Sequence, residues 1–266
     1  MAFKIYLKMI RIVLILIFNI SFVFSQNIYN DLSKNEKIWV DSVYVSLSLE
    51  EKVSQLFIKW VSPEQSDFNQ IKKLVEKDKI GGLIFSIGTT KSHIDWLNRF
   101  QSIAKTPLLI SMDAEWGPSQ RLSDVFAHPW NMTLGAIQNN NLVREISKRI
   151  AEQNKALGVH FNFSPSVDVN NNSKNPIIGN RSFGEDPNNV YNKAKAYILG
   201  HKDVGIFTSI KHFPGHGDTD KDSHKTLPVI NGNMKRLNDV ELYPFKKLIE
   251  DRLAESVMLA HLRVPA

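Results

Sequence analysis

The chain predicts an α/β fold, a (β/α)8 TIM-type barrel that is incomplete at about six β/α units. Three observations lead there. Short apolar, β-prone runs alternate with amphipathic segments of helical period, about 25–50 residues from run to run, which is the rhythm of βαβ units. The runs are almost continuously apolar, as strands covered on both faces are. Polar clusters follow the C-terminal ends of runs three to six, and in a barrel those ends form the rim that carries active sites.

The N-terminus stands apart. Lys4, Lys8 and Arg11 precede an apolar stretch from Ile12 to Phe24 that only Asn19 and Ser21 interrupt. It is about 13 residues long, where a membrane-spanning helix needs roughly 20. Val23-Phe24-Ser25 before Gln26 has the small-residue character of a cleavage site. Residues 1–25 are therefore expected to be a secretory signal peptide and residues 26–266 a single barrel domain. The destination is periplasmic or secreted, with no membrane attachment after cleavage; the alternative is an uncleaved anchor. With no cysteine in the chain, a lipoprotein anchor, disulfides, thiol catalysis and cysteine–zinc sites are excluded. Loss of the three leading cations lowers the formal charge from +6 to +3. There is no Lys/Arg block, so nucleic acid is not an expected partner.

The elements follow in order. Residues 31–47 read as a helix. Ser48-Leu49-Glu50-Glu51 has capping-box spacing and starts another, which feeds a first strand at Leu56-Phe57-Ile58. Residues 68–77 form an amphipathic helix with Ile71, Leu74 and Val75 on one face. A second strand covers 80–85, and Ser92 is expected to cap the next helix. The third strand, 107–112, ends at Asp113. A helix over 141–157 stops at Gly158. The fourth strand is 159–163, the next helix 188–203 and the fifth strand 204–210. Residues 234–252 are helical, with an interruption at Pro244. A sixth strand covers 256–260.

The densest chemistry lies in Lys211-His212-Phe213-Pro214-Gly215-His216-Gly217-Asp218-Thr219-Asp220-Lys221-Asp222-Ser223-His224. This stretch is expected to be a loop leaving the fifth strand, since Pro214, Gly215 and Gly217 favour turns. Asp222 stands two residues from His224, and a carboxylate that reaches an imidazole fixes its tautomer and keeps it basic. A histidine so held is a general acid/base near neutral pH; the plainer reading is an exposed polar turn. The rival is a metal site: His212, His216, Asp218, Asp220, Asp222 and His224 are all able ligands. The i, i+4 spacing of His212 and His216 suits a helix, which the proline and glycines oppose. Asp113 and Arg121 are placed to hold the hydroxyls of a polar substrate or a carboxylate, or to pair with one another. Arg181 in a polar loop is a candidate substrate clamp, and His261 a rim histidine.

Lys211 to Gly217 with Asp222-Ser223-His224 closely resembles the signature of family 3 glycoside hydrolases, in the β-N-acetylhexosaminidase branch. Asp113-Ala114-Glu115-Trp116-Gly117 with Arg121, Asn180-Arg181-Ser182-Phe183-Gly184 and Val257-Met258-Leu259-Ala260-His261 resemble further blocks of that family, in the same order. The resemblance runs from about Leu47 to the end of the chain. It implies a glycosidase of (β/α)8 type that removes terminal β-linked N-acetylglucosamine from peptidoglycan fragments or chitin oligosaccharides by a retaining mechanism. It implies His224 as acid/base, Asp222 as its dyad partner, and Asp113, Arg121, Arg181, Lys211 and His212 as sugar-binding residues. No cofactor and no metal are implied.

A neutral imidazole repels an incoming anion less than a carboxylate does, so an N-acetylglucosaminide phosphorylase is an alternative. A non-catalytic sugar-binding module and a metallohydrolase are the others. Two departures accompany the resemblance. The family's common Glu-Gly-Gly is Glu115-Trp116-Gly117 here, with Trp116 either lining the pocket or packing beside it. The family's nucleophilic Asp, on a segment after the next strand, has no counterpart in this sequence. The expectation is that these residues are the N-terminal part of such an enzyme and inactive alone.

Overall fold

The computed structural model describes residues 28–223 and 225–266. The chain divides into two units, Met1–Leu47 and Ser48–Ala266. The expected signal peptide lies outside the described residues. In the first unit, α1 (Ile28–Asp31) and α2 (Lys34–Ser46) replace the single helix expected over 31–47. The break is Ser33, which takes an extended conformation so that its hydroxyl accepts from the Glu36 amide while the Glu36 carboxylate accepts from its own amide. Ile38, Trp39, Tyr44 and Val45 of α2 are exposed. Among the described residues no helix is long and apolar enough to cross a membrane.

The second unit alternates strands and helices: α3 (Leu49–Ser54), β1 (Ile58–Val61), α4 (Phe68–Glu76), β2 (Gly82–Phe85), α5 (Thr90–Ile103), β3 (Leu109–Met112), α6 (Asn131–Ala136), α7 (Asn140–Ala156), β4 (Phe161–Asn162), α8 (Pro187–Lys202), β5 (Phe207–Thr208), β6 (Ile210–Phe213), α9 (Met234–Asp239), α10 (Tyr243–Glu250) and β7 (Val257–Leu259). Every pairing is parallel. Strands β1 to β5 form one sheet in sequence order, and β6 pairs with β7. Only Ser209 separates β5 from β6, so the two are halves of one strand position. The result is an arc of six parallel positions, an incomplete barrel. Among the described residues β1 and β7 each pair on one side only, and Trp60, Val257 and Leu259 on them are exposed.

Four elements differ from the sequence reading. The first strand starts at Ile58, because Leu56 and Phe57 bond back to Val53 and Ser54 in the turn that closes α3. The cap of α5 is Thr89, with Ser92 as the returning partner three residues on. The helix expected over 234–252 parts at residues 240–242, before Pro244, which takes a first-turn position where its missing N–H costs nothing. Lys211 and His212 lie within β6 and not in the loop after it.

Two apolar clusters hold the arc. Leu83, Phe85, Phe100, Ile110 and Met112 fill the space under β1 to β3, and Val167, Phe183, Val190, Tyr197 and Phe245 fill that around α8. Gly158 ends α7 at φ +72°, the left-handed cap that glycine takes without strain. Between the clusters runs a buried polar seam. Asn162 matches the Ala114 backbone with both groups: its Oδ1 accepts from the Ala114 amide at 3.0 Å and its Nδ2 donates to the Ala114 carbonyl at 3.0 Å. The Tyr197 hydroxyl, on α8, donates to the Glu115 carbonyl at 2.9 Å. His201, on the next turn, accepts from Asn162 Nδ2 through Nε2 at 3.0 Å, and burial pushes its pKa down to about 3, so the ring stays neutral. These bonds fix the backbone just after β3.

Asn162→Ala would orphan the buried Ala114 N–H and leave the Ala114 C=O only the Tyr197 hydroxyl at 3.3 Å. A loss of about 2–4 kcal/mol is expected, read as a lower urea midpoint with an unchanged m-value.

Candidate active site

Most of the side chains singled out in the sequence converge on one cleft of about 880 Å³ at the C-terminal ends of the strands. That size is ample for a small polar ligand. Asp113 and Arg121 come from the β3 loop, Arg181 from the β4 loop, Lys211 and His212 from β6, and His261 from the residues after β7. Lys211 and His212 are neighbours in a strand, where successive side chains normally oppose one another. The register of β6 against β7 shifts between Lys211 and Phe213, and this irregularity lets both reach the cleft.

The floor is a chain of alternating charges. Arg121 Nη2 donates to Asp113 Oδ2 at 2.9 Å. Lys211 Nζ lies 2.9 Å from Asp113 Oδ1 and 2.9 Å from Glu115 Oε1. Arg181 meets Glu115 in a fork, Nη2 to Oε1 at 2.7 Å and Nε to Oε2 at 3.2 Å. Arg181 Nη2 also donates to His212 Nε2 at 3.2 Å. A guanidinium only donates, so His212 Nε2 accepts and the ring proton sits on Nδ1, which donates to Asp168 Oδ2 at 2.7 Å. Asp168 Oδ1 then accepts from the amides of His212 and His216, at 3.2 and 2.6 Å. Both ring nitrogens of His212 are thus committed, and His216 Nδ1 shares a hydrogen bond with Thr219 at 2.6 Å.

Burial alone would raise each of these carboxyls, and in each the partners win. Lys211 and Arg181 hold fully buried Glu115 down to about 2. Lys211 and Arg121 hold Asp113 below the usual carboxylate range. The His212 ring and the two amides hold Asp168 far below it. The Asp113–Arg121 alternatives read from the sequence are therefore joined, since the two are an ion pair that also lines the cleft. Trp116 does not line it; its indole stacks on Trp130 with centroids 4.2 Å apart and planes at 9°.

The loop after β6 is anchored at its start. A Cβ on Gly217 would meet the Val169 carbonyl oxygen at 1.8 Å, so only glycine permits this approach. Asn175 Nδ2 donates to the carbonyls of His216 and Gly217 at 2.8 and 3.1 Å. Further on, Ser223 lines the cleft, and the Asp222 carbonyl accepts from the amides of Lys225 and Thr226. Asp222 is half-buried, and His224 lies outside the described residues. The sequence reading missed two members of the floor as functional residues, Glu115 and Asp168. Their partners Arg181, Lys211 and His212 are distant in sequence.

Comparison with known proteins decides the family. The model of the glycosyl hydrolase family 3 N-terminal domain matches residues 48–266. The chain belongs to glycosyl hydrolase family 3. Within it, "Beta-hexosaminidase A" of Pseudoalteromonas piscicida is 33% identical over 210 residues, 74% of this chain and 35% of that protein. A family 3 β-N-acetylglucosaminidase structure from a Paenibacillus species superposes with a TM-score of 0.77 at 38% identity, covering 83% of this chain and 43% of that one. "Beta-glucoside phosphorylase BglX" superposes with a TM-score of 0.82 at 30% identity, covering 88% and 42%. The chain spans 35% to 49% of the length of four curated family 3 relatives.

The pairing of Glu115 makes a signed prediction. Its carboxyl sits at about 2 when folded against an ordinary 4.5, so its stabilisation is complete above about pH 4.5 and is lost as the pH falls toward 2. Glu115→Gln is expected to cost about 3–5 kcal/mol at pH 7, because it takes the carboxylate from Arg181 and one of the two from buried Lys211. In urea unfolding across pH, the gap between wild type and variant should be flat above about pH 5 and narrow on acidification. A gap that stayed constant to pH 2 would contradict this pairing.

Proposed function

We propose that this chain supplies the sugar-binding groups and the acid/base loop of a β-N-acetylhexosaminidase. Its substrate would be terminal β-linked N-acetylglucosamine on peptidoglycan fragments or chitin oligosaccharides. The observation that carries the reading is the charge chain Arg121–Asp113–Lys211–Glu115–Arg181–His212 along one cleft, with Ser223, the residue between Asp222 and His224, at its edge. Fixed carboxylate and cationic groups of this kind match the hydroxyls of a pyranose, which donate and accept at each position. The names of the relatives support the same class.

In this mechanism His224, held by Asp222, protonates the leaving oxygen and then deprotonates the attacking water. A retaining route also needs a carboxylate at the anomeric carbon. Asp113, Glu115 and Asp168 are each tied into ion pairs or amide bonds, so that role falls to a carboxylate not among them. Water is the favoured acceptor: the floor holds three cations and three carboxylates, and a phosphate would need an unmatched cation. The same pairing favours, as second reading, a chain that binds the sugar without cleaving it. The export and periplasmic or secreted location inferred from residues 1–25 complete the proposal.

Calorimetry with N-acetylglucosamine separates these readings from others. One binding site is expected, weakened about tenfold to a hundredfold by Arg121→Ala, which removes a charged hydrogen-bond donor. No binding would reject both. Where a chromogenic N-acetylglucosaminide is turned over, His224→Ala should lower kcat by about 10²–10⁴. Wild-type turnover by that variant would reject the dyad.

A further inference from the structure

We propose that Gln120 is a further specificity-determining residue of the cleft, and that its side-chain amide donates a hydrogen bond to a hydroxyl of the bound sugar. The proposal rests on the glycosidase reading and adds one contact to it.

The backbone fixes where Gln120 stands. It closes the 3-10 turn Pro118–Gln120, just before Arg121. Its amide donates to the Gly117 carbonyl at 3.1 Å, and the Arg121 amide donates to the Pro118 carbonyl at 2.8 Å. The side chain is fixed as well. The Glu115 backbone amide donates to Gln120 Oε1 at 2.7 Å. A backbone amide only donates, so the atom that faces it is the carboxamide oxygen, and the orientation of the whole group follows. Glu115 is fully buried, so its amide depends on that oxygen for an acceptor.

The nitrogen is what remains. Gln120 is half-buried and lines the cleft, and among the described residues its Nε2 has no hydrogen-bond partner. The charged groups of the floor are committed to one another: Lys211 and Arg121 to Asp113, Lys211 and Arg181 to Glu115, and His212 to Asp168 and Arg181. Gln120 is by contrast a neutral donor, already held by its oxygen, so a ligand that uses it orders little side chain. Glutamate would serve the Glu115 amide equally well, since a carboxylate oxygen accepts. What glutamine has and glutamate lacks is the pair of N–H donors. The surroundings name their partner. A pyranose hydroxyl donates one hydrogen bond and accepts others. A hydroxyl that gives its proton to Asp113, the cleft carboxylate paired with neighbouring Arg121, can only accept elsewhere, and Gln120 supplies the donor.

The test is calorimetry on the full chain with N-acetylglucosamine and with a set of its deoxy analogues, each lacking one hydroxyl. Wild type is compared with Gln120→Glu, which keeps an acceptor for the Glu115 amide and removes the donors. A role confined to backbone support therefore survives in the variant. Gln120→Glu is expected to bind N-acetylglucosamine about threefold to thirtyfold more weakly than wild type. For one deoxy analogue the two proteins should bind alike, because the hydroxyl that Gln120 meets is missing from it. Uniform weakening across every analogue would mark added charge and overturn the contact. A folded variant with wild-type affinity for N-acetylglucosamine overturns it too, and both results leave the cleft reading intact. A wild type that binds none of these sugars overturns both. A second measurement needs no variant: the proton–nitrogen NMR resonances of the Gln120 side-chain amide should shift as N-acetylglucosamine saturates the protein, and unmoved resonances overturn the contact.

Discussion

Lys211 is the constraint on which the site depends. Lys211 is the second residue of a four-residue strand and 1% exposed, and its ammonium has Asp113 and Glu115 both at 2.9 Å. A buried ammonium without anions would lose its proton or unfold its surroundings. Each carboxylate it recruits is then shared with an arginine, Asp113 with Arg121 and Glu115 with Arg181. The network is neutral as a whole, which is why three cations and three carboxylates coexist in a partly dry cleft. Such a network adds little net stability compared with an apolar core. What it provides is fixed geometry, with donors and acceptors already oriented for a polar ring.

That geometry is supported from below. The residues after β3 carry two floor carboxylates in an irregular backbone, which has no ladder of its own to hold it. Asn162 on β4 and Tyr197 on α8 replace the missing ladder, bonding the backbone of Ala114 and Glu115. His201 completes the seam as a neutral ring, and its neutrality matters, since a buried charge there would have no partner among these groups. Sheet, helix and site are thus connected through a few polar side chains that touch no ligand.

How much of this could be read in the sequence depended on range. Alternation of apolar runs with amphipathic segments placed all six strand positions, because each run is local and covered on both faces. Asp113, Arg121, Arg181, Lys211 and His212 were grouped by the family resemblance and not by local chemistry. What escaped was whatever depends on contact across the fold. Asp168 meets His212 from another strand end, 44 residues away in sequence. Glu115 sits two residues after Asp113 in a loop, where no periodicity says which way it points. The boundary of β6 was misplaced for a related reason. Lys211 and His212 are polar, and polar residues read as loop until a cleft is known to receive them.

The groups of the cleft differ in how firmly they are held. Asp113, Arg121, Arg181, Lys211 and His212 stand on strand ends or on loops tied to them, where a displacement would break an ion pair or a buried hydrogen bond. Asp220 and Lys221 are exposed, whereas the start of the same loop is pinned by Asp168, Asn175 and the close approach of Gly217 to Val169. On the proposed function, a firmly held floor beside a more exposed stretch at Asp220 and Lys221 would suit a two-step glycosyl transfer. The sugar must stay still through both steps, while the proton carrier must serve first a leaving oxygen and then an entering one. The loop is therefore best understood as fixed at its root by the same carboxylate, Asp168, that sets the tautomer of His212. On the proposed function, binding and proton transfer would share that one support.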